Sequence, residues 1–187
     1  HVGYALSAAI FVQWIGGFWW ALPLWIVVLF VLQFFRDPPR PVPQDADVVV
    51  CPADGRVIVV DQAEDPYLKR PARRVSIFMN VFNVHSNRSP VAGDIQQRWY
   101  SPGKFFNAAL DKAASENERN ALWIKTDQGR DVVFVQVAGL IARRIVFRKK
   151  VGDVVARGGQ VGLIRFGSRT DVFLPRGTTL NVKDGDR

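Results

Sequence analysis

The chain has 187 residues, 48% apolar and 22% charged, with a formal net charge of +8: the make-up of a folded protein long enough for one domain with a sizeable core. That balance excludes a disordered chain, and the single cysteine, Cys51, excludes an intrachain disulfide, so a reducing cytosolic setting fits. No RNP-type aromatic motif, zinc-ligand spacing or long basic run accompanies the charge, so we expect neither a nucleic-acid partner nor a metal site; an anionic membrane or lipid suits the basic excess.

From Tyr4 to Phe35 there is no charged residue. As one helix this stretch would reach about 48 Å, against a bilayer core of roughly 30 Å, so it must bend. Gly16-Gly17 and Pro23 offer the break points. We therefore expect residues 1–35 to form a membrane segment, either a helical hairpin or one kinked, tilted span, with Trp14, Trp19, Trp20 and Trp25 at the interfaces. The run far exceeds the apolar region of a signal peptide. Arg36 and Arg40 follow at once and, by the positive-inside rule, put the downstream domain on the cytoplasmic side of the cell membrane. Pro38, Pro39, Pro41 and Pro43 make residues 36–44 a stiff linker, and a catalytic domain is expected over 45–187.

Beyond the linker the pattern is mainly β, in an α+β setting. Val48-Val49-Val50-Cys51, Val57-Ile58-Val59-Val60, Val75 to Met79, Leu122-Trp123-Ile124, Val132 to Val137 and Ile145-Val146-Phe147 are short runs of β-branched and aromatic residues. One amphipathic helix is expected after Ser101-Pro102, where Phe105, Phe106, Ala109, Leu110 and Ala113 recur at helical spacing and Lys104, Asp111, Lys112 and Glu116 form the solvated face. The turns Val151-Gly152-Asp153 and Arg157-Gly158-Gly159, with Val154-Val155 between and Gly162-Leu163-Ile164 after, read as a lipoyl-like hybrid barrel. A carrier of that kind needs a lysine at a hairpin tip, and none occurs between Val151 and Arg169.

His85 is the only imidazole beyond the apolar segment, His1 being the other histidine. It stands where a strand gives way to the polar turn Ser86-Asn87-Arg88-Ser89-Pro90. Asp54 lies in the turn Pro52-Ala53-Asp54-Gly55, and Gly167-Ser168 lies between two apolar runs, where glycine leaves its carbonyl open to attack by the serine hydroxyl. A carboxylate, an imidazole and a hydroxyl are the parts that nucleophile activation requires, the first orienting the second and the second taking the proton of the third.

Several blocks carry a resemblance. Phe34-Phe35-Arg36-Asp37-Pro38, Pro52-Ala53-Asp54-Gly55, Asn83-Val84-His85 with Asn87-Arg88-Ser89-Pro90, Ser101-Pro102-Gly103-Lys104-Phe105, Glu116-Asn117-Glu118-Arg119-Asn120, Gln136 to Arg144 and Phe166-Gly167-Ser168-Arg169 occur in this order. In that order they resemble the short, membrane-anchored phosphatidylserine decarboxylases of bacteria and archaea. The resemblance implies a pyruvoyl group made from Ser168 when the chain cuts itself after Gly167, with His85 as base, Asp54 as its orienter, and the two chains staying associated. It implies decarboxylation of phosphatidylserine in an anionic membrane, or of an archaetidyl lipid, and allows a homo-oligomer. Longer bacterial members carry a second histidine three residues on, where this chain has Arg88. Arg88, Arg165 and Arg169 are the expected anion contacts for the head group. The reading of another class is a membrane-anchored, non-enzymatic adaptor with a lipoyl-like domain, which accounts for the anchor and the glycine-valine turns alone.

Overall fold

In a computed structural model describing residues 2–45, 47–110, 112–140, 144–165 and 167–187, the chain divides into residues 1–38 and residues 39–187. The first unit is two helices, α1 (Val2–Gly16) and α2 (Phe18–Phe34), which pack on each other. The break falls at Gly17, whose φ of +81° a residue with a side chain rarely adopts. Pro23 sits inside α2 without ending it. Trp25 Nε1 donates to Gln13 Oε1 at 2.7 Å, a contact that only a chain doubling back can make. The expected alternative of a single kinked span is thus corrected. At 15 and 17 residues the helices reach about 22 and 26 Å, and among the described residues no helix is long and apolar enough to cross a membrane.

The division falls after Pro38, earlier than the expected boundary near residue 44, because the second half of the proline stretch is fastened to the second unit. The Arg157 guanidinium donates to the carbonyls of Pro43 (2.6 Å), Val48 (2.9 Å) and Asp45. Val42 packs so closely on Gly158 that a Cβ there would come within 2.6 Å of it.

The second unit is mainly β. In chain order its elements are β1 (Arg56–Asp65), β2 (Arg70–Met79), β3 (Ser86–Arg88), β4 (Gly93–Ser101), the one-turn helix α3 (Ala113–Glu116), β5 (Arg119–Lys125), β6 (Asp131–Ala138), β7 (Ile145–Phe147), β8 (Val154–Val155), β9 (Gln160–Ile164) and β10 (Ser168–Pro175). A seven-stranded antiparallel sheet has the order β1-β2-β10-β6-β5-β4-β8, and a three-stranded one the order β3-β9-β7. β10 and β6 lie side by side in the large sheet and are buried on both faces; β6 reads as a nearly continuous apolar run, whereas β10 buries the polar Ser168, Arg169, Thr170 and Asp171 ahead of its apolar half. One face carries Phe134, Leu122, Ile124 and Val172, packed with Val161 of the small sheet. The other carries Val133, Val135, Val137 and Phe173, against which Tyr67, Trp99 and Trp123 pack.

Two expected elements are corrected. Val48 to Cys51 is not a strand; it is held by isolated bonds such as Val50 N–H to the Pro90 carbonyl (3.0 Å). Among the described residues no helix begins at Ser101-Pro102. Ser101 ends β4 opposite Arg119, Lys104 bridges to Asn117, and the Asn117 carboxamide grips both N–H and C=O of Phe106 (2.9 and 2.8 Å). That grip ties Phe106 across the loop to Asn117, and helix is confined to Ala113–Glu116. Asp111, part of the expected helix, lies outside the described residues, as do His1, Ile141, Ala142, Arg143 and Phe166.

Candidate active site

Ser168 is the first residue of β10, paired with Met79 of β2 on one side and Ala138 of β6 on the other. The residue before it, Gly167, has φ +65°, so the chain enters this strand through a conformation suited to glycine. Ser168 is fully buried, and among the described residues its Oγ has one partner, the Met79 thioether at 3.9 Å. A Cβ on Gly139 would stand 2.0 Å from the Gly167 carbonyl oxygen, so Gly139 has to be glycine for that carbonyl to sit where it does.

His85 lies at the end of the loop between β2 and β3, which Asn80 and Asn83 close on themselves: the Asn80 N–H donates to Asn83 Oδ1 and the Phe82 N–H to Asn80 Oδ1, both at 2.9 Å. His85 is 1% exposed. Its Nε2 accepts the Gly167 N–H at 3.1 Å, and its Nδ1 is 2.9 Å from the Asn83 carbonyl oxygen. The network assigns the tautomer: Nδ1, facing an acceptor, carries the proton, and Nε2 presents its lone pair beside the Gly167-Ser168 bond. The structure thus brings His85, Gly167 and Ser168 together from distant parts of the chain.

It does not bring Asp54 to them. The Asp54 carboxylate pairs with Arg40, and the Asn83 carbonyl stands at the ring nitrogen where Asp54 was expected. The Asp54 turn is nonetheless close to the strand that follows His85, because the Arg88 N–H donates to the Pro52 carbonyl at 2.8 Å.

The three arginines differ. Arg88 Nη1 donates to the Gly158 carbonyl at 3.0 Å, tying β3 to the Gly158 turn. Arg165 is partly buried, its backbone N–H on the Arg144 carbonyl at 3.3 Å. Arg169 is fully buried in the large sheet, donating through Nε to Asp171 (2.6 Å) and through Nη2 to Ser76 Oγ (2.8 Å). The expectation that Arg169 faces the head group is corrected: it follows Ser168 in β10, so its side chain leaves by the opposite sheet face, where Asp171 neutralises it. Desolvation, seconded by the Asp54 charge, pushes the Cys51 thiol above its ordinary pKa, and Cys51 Sγ donates to the Ala53 carbonyl at 3.1 Å.

Met79, Asn83 and Gly139 are the site residues that sequence reasoning missed. Only Gly139, a glycine at the end of an apolar run, left a visible signal. The surroundings suit a pyruvoyl group: Ser168 is closed off from solvent, beside a soft thioether and a glycine, with an imidazole on the N–H of the preceding residue, Gly167.

The family model for phosphatidylserine decarboxylase matches residues 27–187. The phosphatidylserine decarboxylase proenzyme of Nitrosomonas europaea is 62% identical over 98% of this chain and 85% of its own length. Those of Aromatoleum aromaticum and Burkholderia mallei are 56% and 53% identical, each over 100% of this chain and 86% of theirs. With such a match over nearly its whole length, this chain belongs to the phosphatidylserine decarboxylase family.

Proposed function

We propose that this chain is a proenzyme that cuts itself between Gly167 and Ser168, with His85 as the base, and then converts phosphatidylserine to phosphatidylethanolamine. The observation that carries the reading is the His85 Nε2 lone pair, held 3.1 Å from the Gly167 nitrogen beside a buried serine. His85 takes the Ser168 hydroxyl proton as Oγ bonds to the Gly167 carbonyl carbon. The carbon–nitrogen bond then breaks, the nitrogen takes the proton, and the acyl group rests on Oγ as an ester. Loss of the Ser168 α-proton expels the Gly167 carboxylate from Cβ, and water then replaces the nitrogen, which leaves as ammonia. In the finished enzyme the pyruvoyl group supplies an electron sink for the pair left when CO2 departs. His85, its Nδ1 proton held on the Asn83 carbonyl, is placed to manage the proton that replaces it.

Asp54 keeps its expected role in this proposal, as the group that orients His85 once its pair with Arg40 opens; the nearness of its turn to β3 supports this. Arg88 and Arg165 are the proposed anion contacts. The ladder that holds β10 between β2 and β6 keeps residues 168–187 in place after the cut. The helical hairpin lies in the cell membrane, with the catalytic domain on the cytoplasmic side. What supports this is its apolar surface all round, with Trp14, Trp19 and Trp20 exposed, and Arg36 directly after it. The turns at Gly152 and Gly158, both at positive φ and flanking β8, support kinship with lipoyl-like barrels. The adaptor reading explains neither His85 nor the Gly167-Ser168 bond.

The test is decarboxylation of phosphatidylserine in mixed detergent micelles. Wild type is expected to release CO2 and phosphatidylethanolamine, and Ser168→Ala to release none. Equal activity in Ser168→Ala would overturn the proposal.

A further inference from the structure

A line of buried carboxamides runs through the core and ends at the sulfur that Ser168 touches. Arg98 Nε donates to Asn120 Oδ1 at 2.6 Å, Asn120 Nδ2 to Gln136 Oε1 at 3.0 Å, and Gln136 Nε2 to Asn87 Oδ1 at 2.8 Å. Asn87 Nδ2 then points at Met79 Sδ at 3.7 Å, the same atom that Ser168 Oγ approaches at 3.9 Å. Asn87, Gln136 and Asn120 are all fully buried, and the line crosses from the large sheet to β3 of the small one. Three buried carboxamides are a costly way to fill a core that apolar side chains could fill.

The line has a direction, and Arg98 sets it. A guanidinium has donors only, so the Asn120 oxygen must face it and the Asn120 nitrogen must face Gln136. The same alternation then turns the Gln136 nitrogen to Asn87 and leaves the Asn87 nitrogen facing Met79 and, beyond it, Ser168. The end next to the nucleophile is therefore a donor. With the opposite polarity the Asn87 carbonyl oxygen would lie there, a far stronger acceptor for the serine proton than a thioether.

We propose that Asn120, Gln136 and Asn87 are positioning residues for self-cleavage: their polarity, set from Arg98, keeps a strong acceptor away from Ser168. The hydroxyl proton is then held only by the Met79 sulfur and is free to move to His85. The inference rests on the proposed cut at Gly167-Ser168.

The test uses acids that reverse the line with almost no change in shape. Asn120→Asp can no longer donate to Gln136, so Gln136 and then Asn87 turn over and bring the Asn87 oxygen to Met79. Gln136→Glu turns over Asn87 alone, and Asn87→Asp places an oxygen there directly. The full chain is made by cell-free synthesis with detergent, and the fraction cut is followed on a gel against time. Each variant is also made with Ser168→Ala, which cannot cut, so that thermal melting reports whether it folds. Among variants that fold, each acid is expected to slow the cut by at least about tenfold, roughly the worth of one misdirected hydrogen bond. Asn87→Leu, which has no acceptor, is expected to cut faster than Asn87→Asp, the reverse of what a merely structural role predicts. Folded acid variants that cut at the wild-type rate or faster would overturn the inference, as would Asn87→Leu cutting more slowly than Asn87→Asp. If no acid variant folds, an Asn87→Leu chain slowed more than tenfold overturns it and one slowed less supports it. A wild-type chain that never cuts rejects the cleavage reading itself, a result distinct from all of these.

Discussion

His85 Nε2 accepts the backbone N–H of Gly167, the residue whose carbonyl is to be attacked, while the Ser168 hydroxyl is turned to the Met79 sulfur. The base is thus in reach of the bond but not yet on the nucleophile. For attack the imidazole must exchange the Gly167 N–H for the Ser168 hydroxyl, a short movement of the kind that separates a resting site from its reacting geometry. His85→Ala is expected to slow self-cleavage by about 10²-fold or more, the usual worth of a positioned general base. Gel analysis of the expressed chain checks this; normal cutting together with normal turnover would remove His85 from both roles.

Gly139 is held to glycine by the scissile carbonyl itself. A methyl group there would meet the Gly167 oxygen at 2.0 Å and the Ala108 side chain at 3.3 Å. Gly139→Ala must displace the bond to be cut, so it is expected to lower the fraction of cut chain at least about tenfold, because a displaced reacting group forfeits orientation. The comparison is made on protein shown to be folded by its melting curve.

Asp54 and Arg40 test opposite sides of one ion pair. If Asp54 acts after its pair with Arg40 opens, Asp54→Asn slows the cut, and Arg40→Ala leaves it unchanged or faster. The time course of fragment formation in the two variants decides it, and equal slowing in both would assign the pair a structural role only.

The buried pair Arg169 and Asp171 lies in the short chain that the cut creates, at 2.6 Å. Asp171→Ala strands a guanidinium inside the sheet and is expected to cost about 3–5 kcal/mol of stability. Denaturant unfolding of Ser168→Ala chains with and without the change measures it.

Most of the sheet was legible. The valine and isoleucine runs at 57–60, 75–79, 122–124, 132–137 and 145–147 lie within β1, β2, β5, β6 and β7. β4 was not, because Asp94 and the stretch Gln96-Gln97-Arg98 face solvent and a bulge between Ile95 and Gln97 breaks the alternation. The expected helix after Ser101 failed because Phe105, Phe106, Ala109 and Leu110 have helical spacing, but Asn117, eleven residues beyond Phe106, captures its backbone. The meeting of His85 with Gly167 spans 82 residues, and no local pattern encodes it; the resemblance supplied those residues, and the fold supplies their geometry. Asp54 and Arg169 show the limit of that route, since neither the carboxylate's partner nor the strand face of the arginine can be read from a motif.

The central claim is most directly tested by the intact mass of the purified, denatured protein. The account predicts two chains, residues 1–167 ending in a free carboxylate and residues 168–187 beginning with a pyruvoyl group in place of serine, and a single uncut chain for Ser168→Ala. A wild-type chain that stays whole, with Ser168 unaltered, would contradict it.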